Sequence, residues 1–277
     1  MNTPGVLTFL LIVTNVFFSY RGFKDTSFFF KYRFEVEQVT VYKDYKRLFT
    51  SGFLHVGWMH LIFNMLALYF FSLSLEASLG TGEVLILYTA GLVGGNLISL
   101  LIHKNDSSYG SVGASGAVFG IMFSSIALFP GMKMGLFLLP ISLPGWLFGL
   151  AFILFSIYGI RSRSNNIGHD AHLGGALAGM LVAILLHPSA LSNNLPTILI
   201  LTVPAIVFLY IIVKRPSLLL VDNLFFRKRR QLTVEDKYNM RKRNKQEELD
   251  QVLEKIHTKG MSSLSKKEKE LLQEFSR

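Results

Sequence analysis

Seven long apolar runs, separated by short polar stretches, dominate the first 213 residues of the chain. They lie near residues 5–20, 57–75, 82–103, 113–129, 145–160, 170–187 and 196–213. A helix needs about 17–25 mostly apolar residues to cross a bilayer, and these runs are close to that length. Between Gly52 and Val213 only eight side chains are charged, too few for a soluble surface. The pattern predicts an all-α, polytopic membrane protein.

The segments between the runs are assigned by their own composition. Residues 21–50 form a long aromatic and charged loop, which we expect to lie partly in the membrane interface. The stretch 134–142 is predicted to be helical or partly broken. Pro140 within it and Pro144 after it leave its boundary open. The first run lacks a basic n-region and an A-x-A cleavage site, so it is predicted to be a retained span.

The C-terminal segment differs in composition from everything before it. Residues 214–277 carry 17 Lys and Arg against 10 Asp and Glu. Two apolar stripes at helical spacing predict a small helical hairpin, with a helix stop at Gly260 and a capping box from Ser265 to Glu268. The stripes consist of Leu249, Val252, Leu253 and Ile256, and then of Leu271, Leu272 and Phe275. We therefore divide the chain into a membrane core (1–190), an additional hydrophobic segment that spans or re-enters (191–213) and a basic tail (214–277).

Charge and composition restrict the partners. The net charge of +10 is concentrated in the tail, and a basic tail of a membrane protein indicates contact with the anionic headgroups of the lipid bilayer. No recognition motif supports a nucleic-acid partner. The chain has no cysteine, which excludes disulfides and thiol chemistry. It has neither an H-E-x-x-H motif nor a carboxylate cluster in the core, so no metal or other cofactor is expected.

Polar side chains inside apolar spans are costly and therefore informative. His60 and Asn64 are four residues apart and share one face of the second span. They are explained either by hydrogen bonding between helices, which holds a bundle together, or by a functional site. His55 lies five residues before His60, points elsewhere and is expected to have a structural role.

A serine and a histidine each stand beside a glycine face. Ser115 is followed by Gly116 and Gly120 in the fourth span, and His172 by Gly175 and Gly179 in the sixth. Small residues four apart let two helices approach closely, near enough for a serine oxygen to reach an imidazole nitrogen. A neutral imidazole can activate a serine hydroxyl as a nucleophile.

The serine and histidine suggest acyl transfer. Asp170 projects from a different side of the helix from His172, so a dyad is proposed rather than a triad. Donors for a developing oxyanion are available in His60, Asn64 and the backbone N–H of Ser115.

Three motifs together resemble the rhomboid family of intramembrane serine proteases. They are H-x4-H-x3-N at residues 55–64, G-A-S-G at 113–116 and A-H-L-G-G at 171–175. The resemblance covers roughly residues 1–190. It implies a six-helix core, with the site below the non-cytoplasmic surface and transmembrane proteins as substrates. The bacterial members it most resembles imply a bacterial inner (cytoplasmic) membrane.

The resemblance also implies roles for individual residues. Ser115 matches the nucleophile and His172 the general base, while His60, Asn64 and Gly113 match the oxyanion site. Structural support is expected from Arg47, Glu76, Phe119, Gly116, Gly175 and Gly179. Arg47 and Glu76 are interpreted as fold-supporting ionic or hydrogen-bonded contacts. His169 is a further candidate for contact with the substrate or the oxyanion.

Two positions depart from the family pattern. Lys46 precedes Arg47 where the family often has tryptophan. Phe119 occupies a position where the family has an aromatic residue, often tyrosine. A phenyl ring can still stack on the histidine.

Charge and resemblance disagree on orientation. With the site outward, the outer loops carry ten Lys and Arg and the inner loops only Lys133, the inverse of the positive-inside pattern. We follow the resemblance for the core and prefer a cytoplasmic tail, which requires residues 196–213 to re-enter or lie flat rather than cross.

Three functions fit the sequence. The first is an intramembrane serine endopeptidase that cleaves within or beside a transmembrane segment. The alternative is a catalytically silent rhomboid-like scaffold for membrane-protein binding or quality control. A small-molecule transporter is the third, although no inverted repeat supports it. The substrate and the oligomeric state are left open.

Overall fold

Ten α-helices and two short strand pairs make up the described membrane part of the computed structural model. The structure describes residues 5–129, 131–135, 142–162, 168–214, 248–258, 260–265, 267–269 and 272. The helices are α1 (Val6–Lys24), α2 (Thr26–Tyr32), α3 (Val36–Thr40), α4 (Arg47–Thr50), α5 (Trp58–Leu79), α6 (Thr81–His103), α7 (Ser115–Leu128), α8 (Gly145–Ser162), α9 (His169–Leu186) and α10 (Ser189–Lys214). Antiparallel pairs form between β1 (Phe34–Glu35) and β2 (Gly110–Ser111), and between β3 (Lys133–Gly135) and β4 (Ser142–Pro144). In the tail, residues 248–258 form a further helix, α11.

Each predicted apolar run corresponds to one long helix. By length and composition α1, α5, α6, α9 and α10 can cross a membrane, and α7 and α8 are shorter apolar helices. The prediction of an all-α, polytopic membrane protein is confirmed. The helix expected over 134–142 is wrong at its described ends, which pair as β3 and β4; residues 136–141 lie outside the described part.

Side-chain contacts define two ends of the helix bundle. At the first, which we call the Ser115 end, Ser19 near the end of α1 bonds His55, and Asn96 of α6 donates to the Leu48 carbonyl of α4. At the opposite end, Glu83 near the start of α6 bonds His187 just after α9, at 2.6 Å. Consecutive long helices therefore run in alternating directions between these ends.

The seventh long helix, α10, starts at the opposite end and belongs to the core. Its backbone is non-helical at Asn194, where the amide donates to the carbonyls of Ile126 (2.7 Å) and Ala127 (3.2 Å). Those carbonyls are in the last turn of α7, which has no intrahelical donors for them. Asn194 thus joins α10 to the end of the helix that begins with Ser115.

The course of α10 corrects one expectation about the tail. Because α10 is long enough to span, it carries the chain back to the Ser115 end, where Lys255 of α11 donates to the Lys24 carbonyl at 2.8 Å. A site on one side of the membrane and a tail on the other are therefore incompatible with this structure. The tail lies on the side of the Ser115 end.

Labelling of single cysteines tests this arrangement, since the natural chain contains none. Ser108, Gln251 and Ser142 are exposed, so a cysteine at each can react with a membrane-impermeant maleimide in sealed vesicles. We expect Ser108→Cys and Gln251→Cys to be labelled from one side, and Ser142→Cys from the other. Detergent permeabilisation should make all three reactive; opposite sidedness of the Ser108 and Gln251 variants would contradict a spanning α10.

Candidate active site

Ser115 and His172 form a direct hydrogen bond. The Ser115 Oγ atom is 2.7 Å from Nε2 of His172. Ser115 is the first residue of α7 and His172 is in the first turn of α9, so both lie at the same end of the bundle. With the serine hydroxyl as donor, Nε2 is the acceptor and the proton of the neutral ring is on Nδ1. This is the geometry a base needs to take the proton of a serine.

Glycines make this approach of α7 and α9 possible. A Cβ atom placed on Gly175 would lie 2.2 Å from the Gly116 carbonyl oxygen, and one on Gly179 2.4 Å from that of Gly120. The two backbones therefore touch where the sequence predicts glycine faces. Sequence reasoning missed that α6 joins them: a Cβ on Gly91 would lie 2.8 Å from the same Gly116 oxygen. The small residues Gly91 and Gly95, four apart in α6, were the available signal.

Adding one methyl group at this crossing is expected to destabilise the protein. In Gly175→Ala the Cβ meets backbone rather than a movable side chain, so α7 and α9 must separate. We expect a loss of about 1–3 kcal/mol in unfolding free energy, the range for overpacked cores, and a lower Tm in thermal unfolding. Gly82→Ala is the matched control, because nothing lies within 4 Å of its Cβ position. An equal Tm for both variants would contradict backbone contact at Gly175.

His60 lies next to the serine in the first turn of α5, and Asn64 is one turn further along the same helix. A Cβ on Gly113 would lie 3.0 Å from Nε2 of His60 and 3.6 Å from the Ser115 Oγ atom, so the imidazole packs on Gly113 beside the hydroxyl. Asn64 donates one amide hydrogen to the His60 carbonyl at 2.9 Å. Its second amide hydrogen is available for another acceptor.

Gly113, which the resemblance assigns to the oxyanion site, does not offer its own N–H there. Its N–H donates to the Ser51 carbonyl at 3.1 Å, so it is not free for a substrate oxygen. Its φ of 134° is in a region that residues with a side chain rarely adopt, and a side chain would collide with His60. Its contribution to the site is therefore the space that the His60 imidazole occupies.

His55 is buried and supports the start of α7. Its Nδ1 atom is 2.8 Å from the Ser19 hydroxyl, and its Nε2 accepts a long hydrogen bond (3.4 Å) from the N–H of Ala114. Burial lowers the pKa of His55, and the neighbouring His60 ring lowers it further, so the ring is neutral and Nε2 can accept. The structural role expected for His55 therefore includes holding the residue before Ser115.

Aromatic rings cover one side of His172. The Phe119 ring centroid is 4.8 Å from that of the imidazole, with the planes tilted by 44°. Phe152 of α8 stacks on Phe119 at 3.8 Å. The ring contact expected of Phe119 is therefore present as a tilted contact. Phe152 is a neighbour that sequence reasoning missed, since α8 carries four phenylalanine and tyrosine residues without a distinguishing motif.

Asp170 does bond a histidine, but this histidine is His103. Its carboxylate is 3.2 Å from His103 Nε2 and accepts from the Tyr109 hydroxyl at 3.1 and 3.2 Å. Burial raises the pKa of Tyr109 well above its usual range, and the Asp170 charge adds to this, so the phenol is a donor. These contacts tie the start of α9 to the segment between α6 and β2.

His169 packs against α8 beside His172. Its side chain is buried against α8, where a Cβ on Gly159 would lie 2.2 Å from the ring, and its centroid is 5.9 Å from that of His172. Its contact with a substrate or an oxyanion therefore stays a prediction.

Arg47 and Glu76 each stabilise a different part of the fold. Arg47 is buried and donates to the Phe30 and Arg33 carbonyls and to Glu35, which fixes the loop before α5. Glu76 accepts from the N–H groups of Leu7 and Thr8 at 2.9 and 3.0 Å. It thereby caps the N-terminus of α1 from α5, because the first N–H groups of a helix have no intrahelical acceptor.

No metal site is evident in this part of the protein. Within the described ranges, no group of three or more His, Asp or Glu side chains is arranged to hold a metal ion.

Comparisons with known proteins identify two matched regions. The profile of the Rhomboid domain matches residues 42–189, just over half of the chain, and that of a family of unknown function (DUF6576) matches residues 232–277. Rhomboid protein 1, mitochondrial, from Saccharomyces cerevisiae is 35% identical over 157 residues, which cover 54% of this chain and 45% of the relative.

Two further relatives come from a plant and a bacterium. RHOMBOID-like protein 12, mitochondrial, from Arabidopsis thaliana is 36% identical over 145 residues, 47% of this chain and 43% of the relative. Rhomboid protease GluP from Bacillus subtilis is 31% identical over 175 residues, 62% of this chain and 32% of the relative. The chain spans less than half the length of each relative. Because they include mitochondrial and bacterial proteins, a bacterial inner membrane remains a prediction for this multi-pass protein.

Proposed function

The chain belongs to the rhomboid family, and on that premise we propose that it is an intramembrane serine endopeptidase that acts through a Ser115–His172 dyad. The observation that carries the proposal is the 2.7 Å hydrogen bond between the two side chains. It joins residues 57 positions apart at the start of two helices, and both belong to the matched domain. Protease-named relatives such as GluP support the reaction class.

The first step is attack of Ser115 on a peptide carbonyl. As the Oγ–C bond forms, His172 Nε2 takes the hydroxyl proton and the carbonyl electrons move onto oxygen. The imidazolium then gives this proton to the leaving amine as the C–N bond breaks. Water, deprotonated by the same nitrogen, hydrolyses the acyl-enzyme and releases the new carboxyl terminus.

We assign stabilisation of the oxyanion to His60, Asn64 and the Ser115 N–H. Ser115 is the first residue of α7, so its N–H has no intrahelical acceptor. Nδ1 of His60 is buried with no hydrogen-bond partner in the described residues, which favours the tautomer with its proton on Nε2, beside Gly113. In the proposed mechanism these two N–H groups and the second amide hydrogen of Asn64 donate to the oxyanion.

The proposed substrates are transmembrane proteins in the same bilayer. A peptide bond inside a helix is shielded by its own backbone hydrogen bonds, so the substrate must unwind locally before Ser115 can attack. Unwinding within lipid is costly, because unpaired backbone groups have no water to bond. We therefore expect cleavage near small or helix-breaking residues, at the depth of the Ser115 end.

Reconstitution in liposomes tests the proposal. The purified chain is mixed with a set of single-span substrates, with and without glycine or proline near one end of the span, and the products are identified by mass. We expect a defined cut within or next to the span, faster where helix-breaking residues are present.

One outcome would favour the scaffold instead. If a folded protein binds these substrates and leaves them intact, the chain is a catalytically silent rhomboid-like binder. Uncut substrates without binding would count against both functions.

A further inference from the structure

Helix α1 is capped at both ends by side chains from other elements. Glu76 caps its N-terminus, and at its C-terminus Lys255 of the tail donates to the Lys24 carbonyl at 2.8 Å. The last carbonyls of a helix have no intrahelical donor, and a cation there is favourable. The tail therefore supplies a hydrogen-bond donor for the C-terminus of α1, which α1 itself lacks.

Lys255 is held in place by a buried carboxylate. Both oxygens of Glu268 lie 2.8 Å from its ammonium group, and only 1% of the Glu268 side chain is exposed. Glu268 also accepts from the Thr26 hydroxyl at 3.0 Å and from the Ser265 N–H at 2.7 Å. A buried charge persists only when it is paired and hydrogen-bonded, and every one of these contacts joins the tail to itself or to the α1–α2 junction. We call Lys24, Thr26, Lys255 and Glu268 the tail clasp.

The tail is a folded unit at this position. The predicted capping box is present, because Ser265 Oγ also accepts from the Glu268 N–H at 3.3 Å. Val252 of α11 and Leu264 are buried. The tail's two members of the clasp, Lys255 and Glu268, lie within the region that matches the family of unknown function.

The junction held by the clasp is five residues from a side chain that contacts the active-site segment. Ser19 of α1 donates to the Phe53 carbonyl at 3.0 Å and bonds His55. His55 in turn accepts from the N–H of Ala114, next to Ser115. These contacts connect the end of α1 to the residue that precedes the nucleophile.

From these contacts we propose that the tail is a brace in cis: it docks on the α1–α2 junction and holds the end of α1, and with it residues 51–57, in the arrangement that supports Ser115. Its binding partner is the chain's own junction, recognised by one carbonyl, one hydroxyl and a buried ion pair. Only the effect on cleavage rests on the proposed function; docking and bracing do not.

Hydrogen–deuterium exchange of the full chain tests the brace. In Lys255→Met, Glu268 loses its cation while buried, which is strongly unfavourable, so we expect exchange to speed about tenfold or more in 248–258, 24–32 and 51–57. Lys269→Met is the matched control, since Lys269 is exposed and the change in charge is the same. Its exchange should equal that of the wild type. Faster exchange in α11 alone would overturn the brace, and unchanged exchange in all segments would overturn docking.

A cysteine pair tests docking without breaking α1. The chain has no cysteine, so in Thr26→Cys/Glu268→Cys the two introduced thiols can only pair with each other within the chain. We expect a disulfide on mild oxidation, and none in Ser142→Cys/Glu268→Cys, whose partners are at opposite ends. Equal cross-linking in both pairs would overturn docking. Because Glu268→Cys removes the carboxylate of the clasp, absent cross-linking overturns docking where exchange of 248–258 in the same variant equals that of the wild type, and supports the clasp where that exchange is faster.

Cleavage by the same variants separates the brace from the proposed function. We expect Lys255→Met to cleave at least about fivefold more slowly than Lys269→Met, a typical size of coupling between two sites. Faster exchange in 24–32 and 51–57 with unchanged cleavage would overturn the proposal that the tail supports Ser115. A wild type that cleaves nothing would contradict the proposed function, and exchange in 51–57 would still decide the brace.

Discussion

Ser115→Ala is expected to reduce cleavage of a transmembrane substrate by on the order of 10^4- to 10^6-fold, as loss of a serine nucleophile does in other serine proteases. The reason is chemical: without Oγ no acyl-enzyme can form. His172→Ala should cause a loss of similar size, because the hydroxyl it leaves behind has no base at 2.7 Å. The double variant should be no worse than either single variant, since the two side chains act as one unit. Initial rates in liposomes measure all three.

A serine of the same helix provides the control. Ser125 is buried in α7 and donates to the Ile121 carbonyl one turn earlier, so Ser125→Ala removes a hydroxyl from α7 without touching the site. Its cleavage rate and Tm should stay close to those of the wild type. Full cleavage by Ser115→Ala would mean that another residue is the nucleophile. Equal losses in both serine variants would point to damage to α7.

The sequence predicts the dyad well because the information is local. Each reactive side chain is followed by glycines that place it on a close helix crossing, and steric contact at Gly175 and Gly179 then brings α9 against α7. The apolar runs predict the long helices for a similar reason: a span must satisfy its own backbone hydrogen bonds. Neither inference requires knowledge of distant pairings.

What the sequence does not predict depends on distant pairings. Asp170 bonds His103, 67 residues earlier, and Lys255 donates to the carbonyl of Lys24, 231 residues earlier. No periodic pattern in the sequence indicates either pair. The expected placement of tail and site on opposite sides is wrong, because neither the charge pattern nor the resemblance indicates the direction of α10. The motif position assigns Gly113 to the oxyanion site but says nothing about Ser51, whose carbonyl accepts the Gly113 N–H.

Two carboxylates, Glu76 and Glu268, illustrate the difference between local and distant information. Glu76 was expected to support the fold, but not as the cap of a helix that begins 70 residues before it. The capping box at Ser265 and Glu268, in contrast, is within four consecutive residues and is present as predicted. The ionic contact of the same Glu268 with the rest of the chain could not be foreseen from that spacing.

Asn64→Ala is expected to lower kcat by roughly 10^2- to 10^3-fold with little change in KM, the usual consequence of losing one oxyanion donor. Charge develops on the substrate oxygen only in the transition state, so a donor aimed at it acts on kcat rather than on substrate binding. His60→Ala should have an effect in the same direction, because the imidazole packs on Gly113 beside the Ser115 hydroxyl. Steady-state cleavage over a range of substrate densities in the bilayer separates kcat from KM.

Asn15→Ala separates an oxyanion role from a merely structural one. Asn15 is also a buried asparagine in a span, and its amide likewise donates to the carbonyl four residues earlier, that of Leu11, at 2.9 Å. If Asn64 acted only by stabilising its helix, the two alanine variants should lose similar activity in proportion to their Tm. If it bonds the oxyanion, Asn64→Ala should lose far more kcat than its change in Tm explains, while Asn15→Ala follows stability alone. An increase in KM with unchanged kcat for Asn64→Ala would instead assign Asn64 to binding of the substrate ground state.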